Sequence, residues 1–254
     1  MSTPSILFPG DIDLHWVGPD LNKGPLPALF YLAISGHDSL VLDPFNQPVA
    51  FLEKNYQLRV FSLTLPAHEP PIEPQHALKE WAERFAHHED ILSPFVDTIC
   101  RAATMLVQKN IASTLGICGL SRGGFLAIHA AAKSPLFSTV LGFAPLTRLS
   151  LAKEFFPITP HPLVDRLDLA HCYEHLIDKT IRLYIGNRDE RVSTASCFAF
   201  VQGLAETAYQ KKIRSPQIEL IISPSIGYLG HGTSEHIFHQ GASWMAKQLG
   251  AAHV

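Results

Sequence analysis

The sequence predicts an α/β fold in which a mostly parallel, doubly wound sheet is flanked by helices. Two observations carry this expectation: apolar runs of strand length alternate with longer stretches of helical period, and 46% of the 254 residues are hydrophobic against 17% charged. Short strands alternating with helices wind a parallel sheet with helices on its faces. A chain of this length removes about 70 to 75% of its extended surface from water, so its core needs no disulfide or metal staple. One domain over residues 1–254 is expected.

Each element has its own reason. Residues 28–34 are apolar throughout and run into Ser35-Gly36-His37-Asp38, the pattern of a strand buried on both faces. Residues 58–65 form a more mixed strand that stops at Pro66, and the Pro-rich stretch 66–74 reads as a loop. Between 75 and 110 the period turns helical, with Pro94 in the first turn of a second helix, where its missing donor costs little. Further strands are predicted at 115–120, 139–144, 181–185 and 218–222, and further helices at 123–133, 168–177, 194–210 and 233–249. Residues 145–162, carrying Phe155, Phe156, Pro157 and Pro160, break the alternation. A small cap over a site and a long connection both fit that segment.

Charge narrows the function classes. The 20 basic and 23 acidic residues give a net charge of −3, which is no electrostatic footprint for nucleic acid or anionic lipid. Cys100, Cys118, Cys172 and Cys197 are scattered without a CxxC pair, so reduced thiols are expected rather than a zinc knuckle or a disulfide framework. The leading MSTPSILFPG lacks a basic region, and no apolar run approaches the ~18 residues of a membrane span. A soluble cytoplasmic protein, with neither nucleic acid nor membrane as a partner, is the expectation. The 14 histidines stand out and raise the question of which of them does chemistry.

The sharpest motif lies where the strand at 115–120 meets its helix: Gly119-Leu120-Ser121-Arg122-Gly123-Gly124. In a GxSxG elbow the serine occupies a tight strand-to-helix turn, and the glycines let neighbouring backbones approach. The turn lifts the Ser121 hydroxyl off the carboxyl edge of the sheet, beside a helix N-terminus that favours negative charge. A serine needs a base, and the base needs a carboxylate to hold its tautomer. Asp189 follows the strand at 181–185 and His231 lies in the loop after 218–222, so all three fall outside strand carboxyl ends in the order Ser, Asp, His.

From about residue 28 to 249, on the motifs at 119–124 and 186–192 and at Gly230-His231, the chain resembles the α/β-hydrolase superfamily. The likeness is greatest to its dienelactone-hydrolase-like and prolyl-oligopeptidase-like branches. The resemblance implies that Ser121 attacks an ester, thioester or amide carbonyl of a small-molecule acyl substrate. It implies His231 as general base and then acid, and Asp189 as its orienting carboxylate, with no cofactor or metal. It also implies an oxyanion hole made from the backbone N–H of Arg122 and a second donor in the loop after an early strand. That loop is commonly HG or HGGG, and here it departs to Ser35-Gly36-His37-Asp38, where the amide of His37 is favoured and that of Gly36 comes next.

Rivals remain for several roles. Glu190 competes with Asp189, and His236 and His239 compete with His231, although those two fall on the final helix. His171 and His175 share the i, i+4 spacing of a zinc pair but lack HExxH and a third ligand. Cys118 reads as a buried strand residue, and the Arg122 side chain as solvated or salt-bridged rather than in contact with an anionic substrate. An esterase or thioesterase is the first functional reading. A peptidase of the oligopeptidase type is second, since no propeller is legible ahead of the motifs. A catalytically silent fold serving as a binding protein is disfavoured by the presence of all three triad residue types.

Overall fold

A computed structural model describes residues 3–254, so Met1 and Ser2 of the amino-terminal segment lie outside it. The chain opens with an antiparallel hairpin, β1 (Ser5–Phe8) and β2 (Ile12–Val17), which the alternation pattern did not reveal. β3 (Leu26–Leu32) leads into α1 (Gly36–Val41) and α2 (Gln47–Asn55), and β4 (Arg59–Ser62) follows. Then come α3 (Ala77–Ala86), α4 (Leu92–Gln108), β5 (Ala112–Leu120) and α5 (Arg122–Lys133). β6 (Phe137–Phe143), α6 (Pro162–Arg166), β7 (Thr180–Gly186), α7 (Thr194–Gln210), β8 (Ile218–Ser223) and α8 (Glu235–Gln248) complete the chain.

The strands form one eight-stranded sheet in the order β1-β2-β4-β3-β5-β6-β7-β8. β2 pairs antiparallel with β1 and β4, and every pairing from β4 through β8 is parallel. Successive side chains of a strand point to opposite faces. Thus Phe30 and Ile117 enter a core shared with Trp81, Phe85 and Phe125, whereas their neighbours Tyr31 and Cys118 enter a second core with Val49, Phe238 and Met245. A central strand with a core on each face has no solvent side, so β3 reads as an unbroken apolar run.

Two predicted segments take a different form. Residues 168–177 are helical but wind mainly as a 3-10 turn over Leu169–His175, started by the Asp168 carboxylate accepting from Ala170 N–H at 2.9 Å. Within 145–162 the chain makes short 3-10 turns at Leu149–Leu151 and Lys153–Ile158, with Leu149 and Phe155 fully buried. Phe155 packs edge-on against Phe85 of α3 at 5.8 Å between ring centroids. Tied down in this way, the segment is a packed connection between β6 and α6. Among the described residues no helix is long and apolar enough to cross a membrane.

Candidate active site

Ser121 sits between β5 and α5 with φ 55° and ψ −118°, a conformation that L-residues occupy only when their surroundings enforce it. The enforcement is visible. Ser121 N–H donates to Phe143 O at 2.8 Å, and Leu146 N–H donates to Ser121 O at 3.0 Å, so the end of β6 clamps the turn on both sides. The glycines explain the rest of the motif: a Cβ on Gly123 would lie 2.0 Å from Leu32 O, and one on Gly119 would lie 2.3 Å from Gly123 C. Any side chain at either position would push α5 off the sheet.

The serine hydroxyl is 2.9 Å from Nε2 of His231, and Nδ1 of His231 is 2.7 Å from Oδ2 of Asp189. An ionised carboxylate only accepts, so Nδ1 carries the proton, and Nε2 is left with a lone pair toward the serine O–H. Asp189 is buried, and its other oxygen accepts from Arg191 N–H at 2.9 Å and Val192 N–H at 3.0 Å. Thr194 Oγ1 accepts from Asp189 N–H at 2.9 Å and donates to Gly186 O at 2.6 Å, fastening this turn to the end of β7. Glu190, the rival carboxylate, is exposed and pairs with Arg188 at 2.7 Å.

The histidine loop is shaped by positive-φ residues. Leu229 and Gly230 have φ 54° and 71°, and a Cβ on Gly230 would fall 2.1 Å from Arg188 O. This close approach brings the His231 turn against the Asp189 turn. His236 lies exposed on α8, and His239 stacks on Phe51 at 4.5 Å. Cys118, inside β5, is fully buried with its thiol pushed well above the ordinary range by burial.

At the proposed oxyanion side, the Arg122 N–H opens α5 and has no acceptor among the described residues. The Gly36 amide is taken by Thr64 Oγ1 at 3.0 Å, which removes it as a donor. The His37 amide has no acceptor among the described residues, while its ring turns away, with Nδ1 accepting from Thr3 N–H at 3.3 Å and bonded to Thr3 Oγ1 at 2.9 Å. The Ser35 hydroxyl starts α1 by accepting from Asp38 N–H at 3.0 Å and donating to the Asp38 carboxylate at 2.7 Å. That Ser-x-x-Asp spacing is a helix-start signal legible in the sequence.

A pocket of about 290 Å³ opens at Ser121 and His231. Phe45, Leu78, Leu120 and Phe238 supply apolar walls, and Arg122 and Arg191 supply the charge. Arg191 is bidentate to Glu154 at 2.8 and 3.0 Å. The Arg122 side chain corrects the sequence expectation: it is only partly exposed, donates through Nη1 to Pro74 O at 2.7 Å, and forms no ion pair among the described residues. Burial, reinforced by Arg191, pulls its guanidinium down to about 10. His68, on the loop after β4, was not singled out by sequence. Burial first and Arg122 second hold it at about 4, and its Nε2 is buried without a partner.

No family model matches this sequence, and no curated protein does. Solved structures do match. TT1662 from Thermus thermophilus superposes with a TM-score of 0.69 at 16% identity, covering 99% of this chain and 100% of that one. Est1E from Butyrivibrio proteoclasticus gives 0.65 at 13% identity, over 98% of this chain and 100% of that one. A Mycobacterium tuberculosis puromycin-hydrolyzing peptidase gives 0.68 at 16% identity, with 98% of this chain covering 40% of that one. Strand order, elbow and neighbours agree. The chain has the α/β-hydrolase fold. The elbow after β5, the turn after β7 and the loop after β8 meet at the carboxyl edge of the sheet, where open α/β sheets bind ligands.

Proposed function

We propose that the protein is a serine hydrolase that cleaves a carboxylic ester or thioester of a small acyl substrate through an acyl-enzyme. The observation that carries this reading is the continuous chain from Ser121 Oγ to His231 to buried Asp189, at 2.9 and 2.7 Å. Ser121 Oγ adds to the carbonyl carbon while His231 Nε2 takes its proton, and Asp189 steadies the imidazolium that forms. The tetrahedral oxyanion is received by the Arg122 N–H, with His37 N–H as the second donor. Loss of one such donor usually costs about 100-fold to 1,000-fold in rate. Collapse expels the alkoxide or thiolate, which takes the proton from His231. Water then repeats the cycle on the acyl-enzyme and frees the acid.

The pocket volume of about 290 Å³ suits a small or medium acyl group better than an extended peptide. Labelling with a fluorophosphonate probe tests the reading directly: wild type is expected to label, and Ser121→Ala is expected not to. A wild type that stays unlabelled would sink the hydrolase proposal. The base is tested by burst kinetics on a chromogenic ester, expected to vanish in His231→Ala and persist in His236→Ala.

A further inference from the structure

We propose that the pocket at Ser121 recognises a carboxylate carried by the acyl substrate, through the side chain of Arg122. This rests on the serine-hydrolase reading above and adds the substrate class to it.

The inference starts from what arginines need in a protein interior. A guanidinium presents five N–H donors, and taking it out of water is costly unless those donors and the charge find partners. The molecule contains an arginine that meets this condition. Arg59 is fully buried in β4, and its guanidinium donates to four carbonyls: Pro19 O at 3.0 Å, Gly24 O at 2.9 Å, and Ile111 O and Asp20 O at 2.5 Å each. Such an arginine is structural, with four of its five N–H donors spent on backbone carbonyls. Arg122 is the opposite case. Its side chain makes one hydrogen bond, to Pro74 O, and no carboxylate pairs with it among the described residues.

The surroundings supply no other counter-charge. Glu154, the acid whose field favours the charged Arg122, already spends both oxygens on Arg191. His68 is held neutral beside it. Arg122, whose guanidinium is desolvated and has no carboxylate partner among the described residues, lines the same pocket as Ser121, and Phe45, Leu78, Leu120 and Phe238 are among the other lining residues. A ligand with a carboxylate would supply the missing bidentate acceptor, while its carbon chain lies against Phe45 and Leu78. A carboxylate fits better than a larger anion because planar fork-to-fork pairing leaves the rest of this small volume for the acyl chain.

The test uses the purified full chain and two chromogenic esters of equal acyl length, p-nitrophenyl hemiglutarate and p-nitrophenyl valerate. Wild type is expected to favour the charged ester by about tenfold or more in kcat/KM at low salt, the size of one charge-assisted hydrogen bond. The ratio is expected to fall to about one in Arg122→Gln and to recover in part in Arg122→Lys. Equal or better use of valerate by wild type would overturn the inference and leave the hydrolase reading standing. Hydrolysis of neither ester, with no fluorophosphonate labelling, would remove that reading and this inference with it. Should Arg122→Gln fail to fold, inhibition of wild-type valerate hydrolysis decides. Free glutarate is expected to compete more strongly than inorganic phosphate at matched ionic strength, and the reverse order would overturn the carboxylate assignment.

Discussion

The two oxygens of Asp189 have different partners, and the difference sets the first prediction. Oδ1 is held by two backbone N–H groups, and Oδ2 faces His231 Nδ1. In Asp189→Asn the amide oxygen keeps the backbone bonds, so the NH₂ faces His231 and drives its proton to the wrong nitrogen. With the tautomer inverted, kcat for an activated ester is expected to fall by about 10⁴, while the urea midpoint stays near wild type. Glu190→Gln, at an exposed carboxylate paired only with Arg188, is expected to leave kcat within about twofold. A loss of rate in Glu190→Gln matching that of Asp189→Asn would contradict the geometry.

At the scale of elements, the elbow depends on how closely α5 approaches β3. Gly123 lies under Leu32 O with no room for a methyl group, because that contact involves rigid backbone on both sides. Gly123→Ala is expected to cost about 3 kcal/mol or more in urea unfolding and to lower fluorophosphonate labelling as Ser121 is displaced. The connection between β6 and α6 supports the site less directly. Its Glu154 braces Arg191, and its Phe155 fills the core against Phe85. Phe155→Ala is expected to cost about 3 to 5 kcal/mol in stability. Activity per folded molecule should change little, since Phe155 does not line the pocket.

For the whole molecule, buried histidines tie stability to pH. His129 is held at about 4 by burial first, against the opposing pull of Leu167 O, and packs edge-on to Phe125 at 4.6 Å. His68 is likewise near 4. Each folded value lies below the ordinary 6.5, so between pH 6.5 and 4 the unfolded chain binds more protons than the folded one. Stability is therefore complete above about pH 6.5 and is lost as pH falls toward 4, by up to about 3 kcal/mol per histidine. Urea midpoints of wild type at pH 7 and pH 4.5 are expected to show the drop, with a shallower slope in His129→Gln. A flat profile in wild type would mean that neither histidine is buried as described.

Much of the architecture is legible along the chain because it follows from local sterics and period. Apolar runs of strand length, glycines around a serine, and a proline in a first helical turn each act within a few residues. On those grounds β3 to β8, the elbow, and the strand-end positions of Asp189 and His231 could be read. The antiparallel hairpin could not, since β1 has four residues and leaves Leu7 exposed. Only the tertiary structure decided which groups meet. His231 lies 42 positions from Asp189 and 110 from Ser121, and although Asp189 is nearer the strand end than Glu190, only the fold shows which carboxylate meets the imidazole. The many histidines divide in the same way. His239 stacks on Phe51 and His253 packs at a tilt against Tyr56, roles that depend on partners remote in sequence. Arg122 is the strongest case: its one side-chain hydrogen bond, to Pro74 O, and the lack of an ion pair among the described residues depend on segments remote in sequence.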